Sequence, residues 1–172
     1  ILMPVKNAEP FLNDCLESIL SQTEENWELL TVDDGSSDNS YQTLTSYADG
    51  DSRIQALRNA GSGIISALRL AYENSSGNLI TRMDADDKMG SQKLETLKRN
   101  IMNYGKGHIA IGQVTYFSET SLGDGYLKYE AWLNDLTSVG ANYSDIYKEC
   151  VIPSPCWMVF KEDLDKCEGF NS

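Results

Sequence analysis

Apolar and polar positions along the 172-residue chain fall into short segments that alternate between a strand-like and a helix-like period. Ile1-Leu2-Met3-Pro4-Val5 is an apolar run too short for a helix, and it predicts a buried parallel strand. Leu12, Cys15, Leu16, Ile19 and Leu20 recur at helical spacing, with Pro10 suited to the first turn. Trp27 to Val32 predicts a second strand, which runs into Asp33-Asp34-Gly35-Ser36-Ser37-Asp38. Then come a helix from Asn39 to Ala48, a short strand from Ile54 to Leu57, a loop from Asn59 to Gly63 and a helix from Ile64 to about Asn74. Asn78 to Met83 predicts a fourth strand, running into Asp84-Ala85-Asp86-Asp87. Leu94, Leu97, Ile101 and Met102 mark a helix before Gly105, and His108 to Phe117 alternates as a fifth strand. Beyond Phe117 the regularity weakens into a polar loop from Ser118 to Gly125, an aromatic amphipathic helix from Tyr126 to Leu136 and a strand from Cys156 to Phe160.

This order predicts an α/β fold with a mainly parallel central sheet flanked by helices and right-handed crossovers. Hydrophobic residues at 41% and charged residues at 23% give a chain able to bury a core, which excludes a disordered or low-complexity polymer. No apolar run approaches the ~20 residues of a membrane-spanning helix. The net charge of −12 repels phosphate backbones and anionic lipid, so no nucleic-acid partner is expected. An anionic substrate would have to be held locally by backbone amides, a few basic side chains or a metal ion. The four cysteines form no C-x-x-C pair and His108 is the only histidine, which argues against structural zinc. Cys15 reads as a core residue; for Cys150, Cys156 and Cys167 a pairing stays open, with free thiols in a reducing cytoplasm the expectation.

In an open parallel sheet, ligands bind beyond the carboxyl ends of the strands. Asp33-Asp34 and Asp84-Ala85-Asp86-Asp87 both fall there. Crowded carboxylates raise one another's pKa unless a cation or hydrogen-bond donors sit among them. Turn and helix-cap chemistry accounts for Asp38, Asn39 and Ser40, and for the second cluster a cap by Asp87 or Ser91 competes. Three acids in four residues exceed what a cap needs, and an oxygen-only donor set favours Mg²⁺ or Mn²⁺. Lys88 and Met89 stand where an EF-hand needs an oxygen ligand and glycine, so that loop is excluded. Gly61-Ser62-Gly63 matches a dinucleotide fingerprint only weakly, yet glycines ahead of a helix let backbone N–H groups approach a ligand. His108 reads as partly buried within its strand. Tyr126, Tyr129 and Trp132 read equally as core or as a sugar-stacking platform, and Trp157 as core.

Met3-Pro4-Val5-Lys6-Asn7-Ala8-Glu9, Cys15 to Thr23, Val32 to Asp38 and Gly77 to Asp87 occur in an order and spacing that resemble the family 2 glycosyltransferases of GT-A fold. Gly169-Phe170 is similar to that family's Gly-Gly-Phe element. The resemblance implies a Rossmann-like nucleotide-diphospho-sugar transferase domain over 1–172, cut at both ends, with a nucleotide-sugar-binding half (1–117) and the start of an acceptor-side half (118–172). It implies Pro4 and Val5 near the base, Glu9 close to the nucleotide and Asp34 accepting a hydrogen bond from the base. Gly63 offers its backbone, Asp84 and Ala85 lie near the ribose and Asp86 binds the metal, Mn²⁺ or Mg²⁺.

The implied reaction is inverting transfer of a sugar, from a UDP-sugar by preference, to an acceptor hydroxyl on a saccharide or lipid-linked saccharide. Location would be cytoplasmic or at the cytoplasmic face of the membrane, and a dimer stays open. Two features depart from the family. Arg69 stands out of register for a phosphate role, and the acidic base expected after the Gly-Gly-Phe element would lie beyond Ser172. The alternatives are a non-catalytic nucleotide- or sugar-binding module and a nucleotidyltransferase on a similar scaffold; the latter lacks its basic, glycine-rich loop after Val5.

Overall fold

Strand β1 (Leu2–Val5) carries apolar residues on both faces, and Leu2, Met3 and Val5 are all buried, which places it inside the sheet. In the computed structural model, which describes residues 1–118 and 121–170, β1 pairs in parallel with β2 (Leu29–Asp33) and β2 with β3 (Ile54–Arg58). On the other side of β1, Leu2 bridges Arg82 in parallel, and the Leu2 carbonyl accepts the Met83 N–H at 3.0 Å. That bridge leads into a second set of strands, where β6 (Trp157–Phe160) runs antiparallel between β4 (Leu79–Thr81) and β5 (Ala110–Ile111). The order across both sets is β3-β2-β1-β4-β6-β5, with β6 alone reversed. The mainly parallel α/β sheet anticipated from the sequence is therefore present.

Period-two alternation divides the core between the two faces. Met3, Val5 and Leu29 point to the face covered by α1 (Glu9–Leu20), α2 (Ser40–Gly50) and α4 (Lys93–Tyr104). Leu12, Cys15, Leu16 and Ile19 form the buried stripe of α1, and Leu94, Leu97 and Ile101 that of α4. Leu2, Leu30 and Val32 point to the opposite face, covered by Ala67, Leu68 and Ala71 of α3 (Ile64–Glu73). Each fully buried Leu or Ile contributes about 1.5–3 kcal/mol, so α1 and α3 are fixed to the sheet far more firmly than helix propensity alone could manage.

The predicted strand His108 to Phe117 is reduced to Ala110–Ile111. Gly105 and Gly107 take positive φ (82° and 81°) and turn the chain just before it. Beyond Gly112, the Val114 N–H and carbonyl bond the Asn134 side chain at 2.9 and 2.7 Å instead of a neighbouring strand. His108 is exposed rather than partly buried, with Nδ1 3.3 Å from the Lys106 carbonyl. The second strand starts at Leu29, not Trp27, whose ring lies under Arg53 at 3.8 Å. The helix predicted from Tyr126 extends over α5 (Asp124–Ser138). Tyr129 and Trp132 face each other at 5.4 Å, with Tyr129 Oη donating to the Cys150 carbonyl and Trp132 Nε1 to Asp145, so these two tie α5 to the following loop. Part of the predicted polar loop from Ser118 to Gly125, residues 119–120, lies outside the described residues. The chain closes through α6 (Lys161–Lys166) and a turn at Gly169-Phe170. All four cysteines are free, as anticipated.

Candidate functional site

The carboxyl ends of β1 to β4 deliver their loops to one edge, and the loops after β1 and β4 meet there because these strands are neighbours. Between them lies a cleft of about 330 Å³, lined by Pro4, Lys6, Phe11, Ile64, Asp84 and Asp86 among others. Pro4, Asp84, Ala85 and Asp86, four of the residues singled out from sequence, line it. Val5 is buried beneath, and its carbonyl accepts the Asp34 N–H at 2.8 Å.

Asp34 sits at the end of β2 almost wholly buried. Its Oδ1 accepts from Asn59 Nδ2 at 2.6 Å and from the Gly63 N–H at 2.9 Å; Oδ2 lies 3.0 Å from the same N–H and 3.5 Å from Lys6 Nζ. Burial alone would raise this carboxyl's pKa, but Asn59, Gly63 and Lys6 outweigh it and hold the group below the usual carboxylate range. Gly63 has φ 94° and ψ 156°, a conformation reserved for glycine, and it opens α3 with its N–H turned to Asp34.

Glu9 lies outside the cleft lining. Its carboxylate accepts the Asn39 N–H at 3.1 Å and Asn39 Nδ2 at 2.6 Å, while Asp38 accepts the Glu9 N–H at 3.1 Å. The starts of α1 and α2 thus hold each other, and the cap role anticipated for Asp38 is realised toward both Glu9 and Ser40. Arg69 donates Nε to the Phe170 carbonyl at 2.7 Å and is not among the cleft residues.

The acidic loop does not cap α4. The first turn of α4 takes its acceptor from Gln22, whose Oε1 receives the Leu94 N–H at 3.0 Å. Within the loop, Asp84 is half-buried and paired with Arg82, Ala85 is buried and Asp86 is exposed. Burial, then the charges of Asp86 and Asp84, raise the Asp87 carboxyl. Burial and the same three carboxylates push the Cys15 thiol, 3.6 Å from the Asp84 carbonyl, up to about 12.

Among the described residues, no three His, Cys, Asp or Glu side chains converge as a self-sufficient metal cage. Asp86 is exposed at the cleft and carries oxygen donors only, of the kind a hard cation takes together with water, while one oxygen of Asp84 is engaged by Arg82. A second, wider groove of about 1500 Å³ adjoins the cleft and shares Phe11 and Asp86 with it. Phe11, Tyr116 and Phe117 supply aromatic surface there, and Lys88 pairs with Asp14 across it at 2.6 Å.

Sequence reading missed Asn59 and Gln22 as organisers of this edge. Asn59 had a legible signal in its place directly after a strand and two residues before a Gly-x-Gly. Gln22 had none, because its partners Gly90 and Leu94 lie some seventy residues away.

A family model described as Glycosyl transferase family 2 matches residues 1–167. The chain belongs to that family. Among its relatives, the glycosyltransferase GlyA of Streptococcus pneumoniae is 35% identical over 133 residues, covering 73% of this chain and 19% of GlyA. WfgD of Escherichia coli, named as a UDP-Glc:alpha-D-GlcNAc-diphosphoundecaprenol beta-1,3-glucosyltransferase, is 40% identical over 107 residues, 59% of this chain and 42% of WfgD. Staphylococcus aureus TarS 1–349 in complex with UDP-GlcNAc superposes with a TM-score of 0.70 at 15% identity, covering 96% of this chain and 46% of that 1–349 chain. The mannosyltransferase PcManGT of Pyrobaculum calidifontis, in complex with GDP-Man and Mn²⁺, gives 0.71 at 17% identity, covering 97% and 45%. These superpositions show the GT-A fold, and the chain spans less than half the length of each of these four proteins. No helix among the described residues is long and apolar enough to cross a membrane.

Proposed function

We propose that this chain binds the nucleotide-diphospho-sugar and divalent metal of an inverting glycosyltransferase that works in the cytoplasm, with residues 1–117 as the sugar-donor half and 118–172 opening the acceptor side. The observation that carries this reading is one cleft in which the Asp84-Ala85-Asp86 loop faces Pro4 and Lys6 across neighbouring strand ends.

In this reading the nucleoside lies against Pro4, over the buried Val5 and beside the Gly63 turn, and Asp34 accepts an N–H from the base, which favours UDP. Glu9 steadies the wall of the cleft through the start of α2. Asp84, neutralised by Arg82, faces the ribose, and Asp86 holds Mn²⁺ or Mg²⁺. When bound, the cation offsets the negative charge that grows on the leaving diphosphate.

The wider groove admits the acceptor saccharide, so that its hydroxyl oxygen reaches the anomeric carbon from the face opposite the diphosphate. The new C–O bond forms as the bond to phosphate breaks, and its electron pair leaves with the diphosphate. The hydroxyl proton passes to a carboxylate acting as general base.

Calorimetric titration with UDP, GDP and their sugars, with and without Mn²⁺, tests the reading. Saturable nucleotide binding strengthened by Mn²⁺ supports it, and failure of every nucleotide to bind in either condition overturns it.

A further inference from the structure

Lys93 opens α4, and its side chain runs along the groove wall that carries the acidic loop. Gln22 fixes this helix start by bonding the Gly90 carbonyl and the Leu94 N–H, and the Lys93 N–H donates to the same Gly90 carbonyl at 2.9 Å. Nζ donates to the Pro155 carbonyl just ahead of β6. The half-buried side chain lines the wider groove together with Asp86, Asp87 and Cys156.

Nothing local favours a cation at this position. A helix N-terminus carries partial positive charge, so the dipole of α4 repels an ammonium in its first turn. Burial adds a second cost and lowers the Lys93 pKa, while negative groups, Asp87 and Asp84 among them, oppose that shift. The Pro155 bond gives no reason for a charge either, since an uncharged amide can donate to a carbonyl.

The acidic loop supplies the reason. Asp84, Asp86 and Asp87 crowd three carboxylates into four residues. Arg82 is engaged with Asp84, and Lys88 is engaged with Asp14 at 2.6 Å. Among the described residues, the carboxylates of Asp86 and Asp87 have no hydrogen bond or ion pair. Lys93 likewise forms no ion pair with them; its Nζ bonds a carbonyl instead. It therefore lowers the negative potential of the loop through space and leaves the oxygens of Asp86 and Asp87 open.

We infer that Lys93 is a positioning residue of the acidic loop, a built-in counter-charge that keeps Asp86 and Asp87 together where cleft and groove meet and limits how tightly a divalent cation is held there. The inference rests on the assignment of that cation to Asp86 in the sugar-donor reading, and goes beyond it by giving the site a residue that weakens metal binding. Removing a structural support would loosen the loop and weaken the metal. Removing a counter-charge does the opposite, so the sign of the change separates the two roles.

The test measures Mn²⁺ dissociation constants, alone and with saturating UDP, from the free-ion paramagnetic resonance signal. The proteins are the 172-residue chain, Lys93→Met, Lys93→Gln and Lys93→Arg, each checked for folding by circular dichroism. Lys93→Met is expected to tighten Mn²⁺ by about fivefold, the scale of one unit charge acting through a partly solvated site, and Lys93→Arg to stay within about twofold of the parent. Lys93→Gln, which keeps a donor, should behave as Lys93→Met does and carries the test if the latter does not fold. The gain should shrink at about 0.5 M salt, and it should vanish in an Asp86→Asn background. Unchanged or weaker Mn²⁺ affinity in a folded uncharged variant overturns the inference, as does a gain that survives Asp86→Asn. If the parent binds Mn²⁺ at Asp86 and the variants match it, only the inference fails; a parent that binds no Mn²⁺, with or without UDP, overturns the metal assignment as well.

Discussion

Arg82 and Asp84 meet through a single carboxylate oxygen: guanidinium Nε and Nη2 approach Oδ1 at 2.8 and 2.6 Å, leaving Oδ2 outside the pair. Both side chains are less than a third exposed, so solvent screens the pair only in part. Asp86, two residues on, is exposed. The two acids of one short motif therefore carry different structural loads. Asp84→Asn is expected to lower the free energy of unfolding by about 1–2 kcal/mol, because it leaves the Arg82 charge half-buried without its counter-ion. Asp86→Asn is expected to change it by less than about 0.5 kcal/mol. Urea denaturation of the two variants checks the difference.

The Asp34 network predicts a pH dependence. This carboxyl is held below its usual pKa of 3.8, so folding gains from its ionised form above that value and loses the gain as pH falls through the lower folded-state pKa. Asp34→Asn should therefore destabilise the chain by about 2 kcal/mol near pH 7, and the gap from the parent should shrink below about pH 4. Denaturation midpoints measured at intervals between these pH values give the curve, and a gap independent of pH contradicts the assignment.

Much of this edge was legible in the sequence because strands of apolar residues ending in acids are local signals. Val32 running into Asp33-Asp34 fixed one corner, and Thr81 running through Arg82 and Met83 into Asp84 fixed the other. Partners that come together only through tertiary contacts were not legible. His108 to Phe117 alternates like a strand, yet Asn134, on a helix twenty residues later, binds the Val114 backbone. Nor does any pattern in Trp157–Phe160 reveal that it runs antiparallel between two strands, since a short apolar run reads alike in either direction. Asn59 is the functional counterpart: its partner Asp34 is twenty-five positions away, across a parallel pairing that sequence alone does not register.

Gln22 joins the end of α1 to the segment after the acidic loop. Its Nε2 donates to the Gly90 carbonyl at 2.8 Å and its Oε1 accepts the Leu94 N–H at 3.0 Å, in a buried position. Gln22→Leu keeps an apolar stem but strands both backbone groups, so a loss of about 2–3 kcal/mol is expected. The same variant should weaken Mn²⁺-dependent nucleotide binding, since only Lys88 separates Met89 and Gly90 from the acids. Denaturation and titration of one preparation check both effects.

The thiols divide by environment. Cys15 and Cys156 are buried with raised pKa values, Cys15 at about 12, whereas Cys150 and Cys167 are exposed. At about pH 8, a chromogenic disulfide reagent should label two thiols quickly and reach four only when the chain is unfolded. Fast labelling of Cys15 in the folded chain, read by mass spectrometry, contradicts this packing against Asp84.

The central claim is that the Asp84-Ala85-Asp86 loop gathers a nucleoside diphosphate and, on Asp86, a divalent cation at one place. Electron paramagnetic resonance of Mn²⁺ titrated with the chain tests it most directly, by the loss of the free-ion signal with and without UDP. The account predicts that UDP tightens Mn²⁺ binding by about tenfold or more, and that Asp86→Asn removes this gain while leaving the fold intact. Mn²⁺ affinity that is the same with and without UDP, or the same gain in Asp86→Asn, would contradict it.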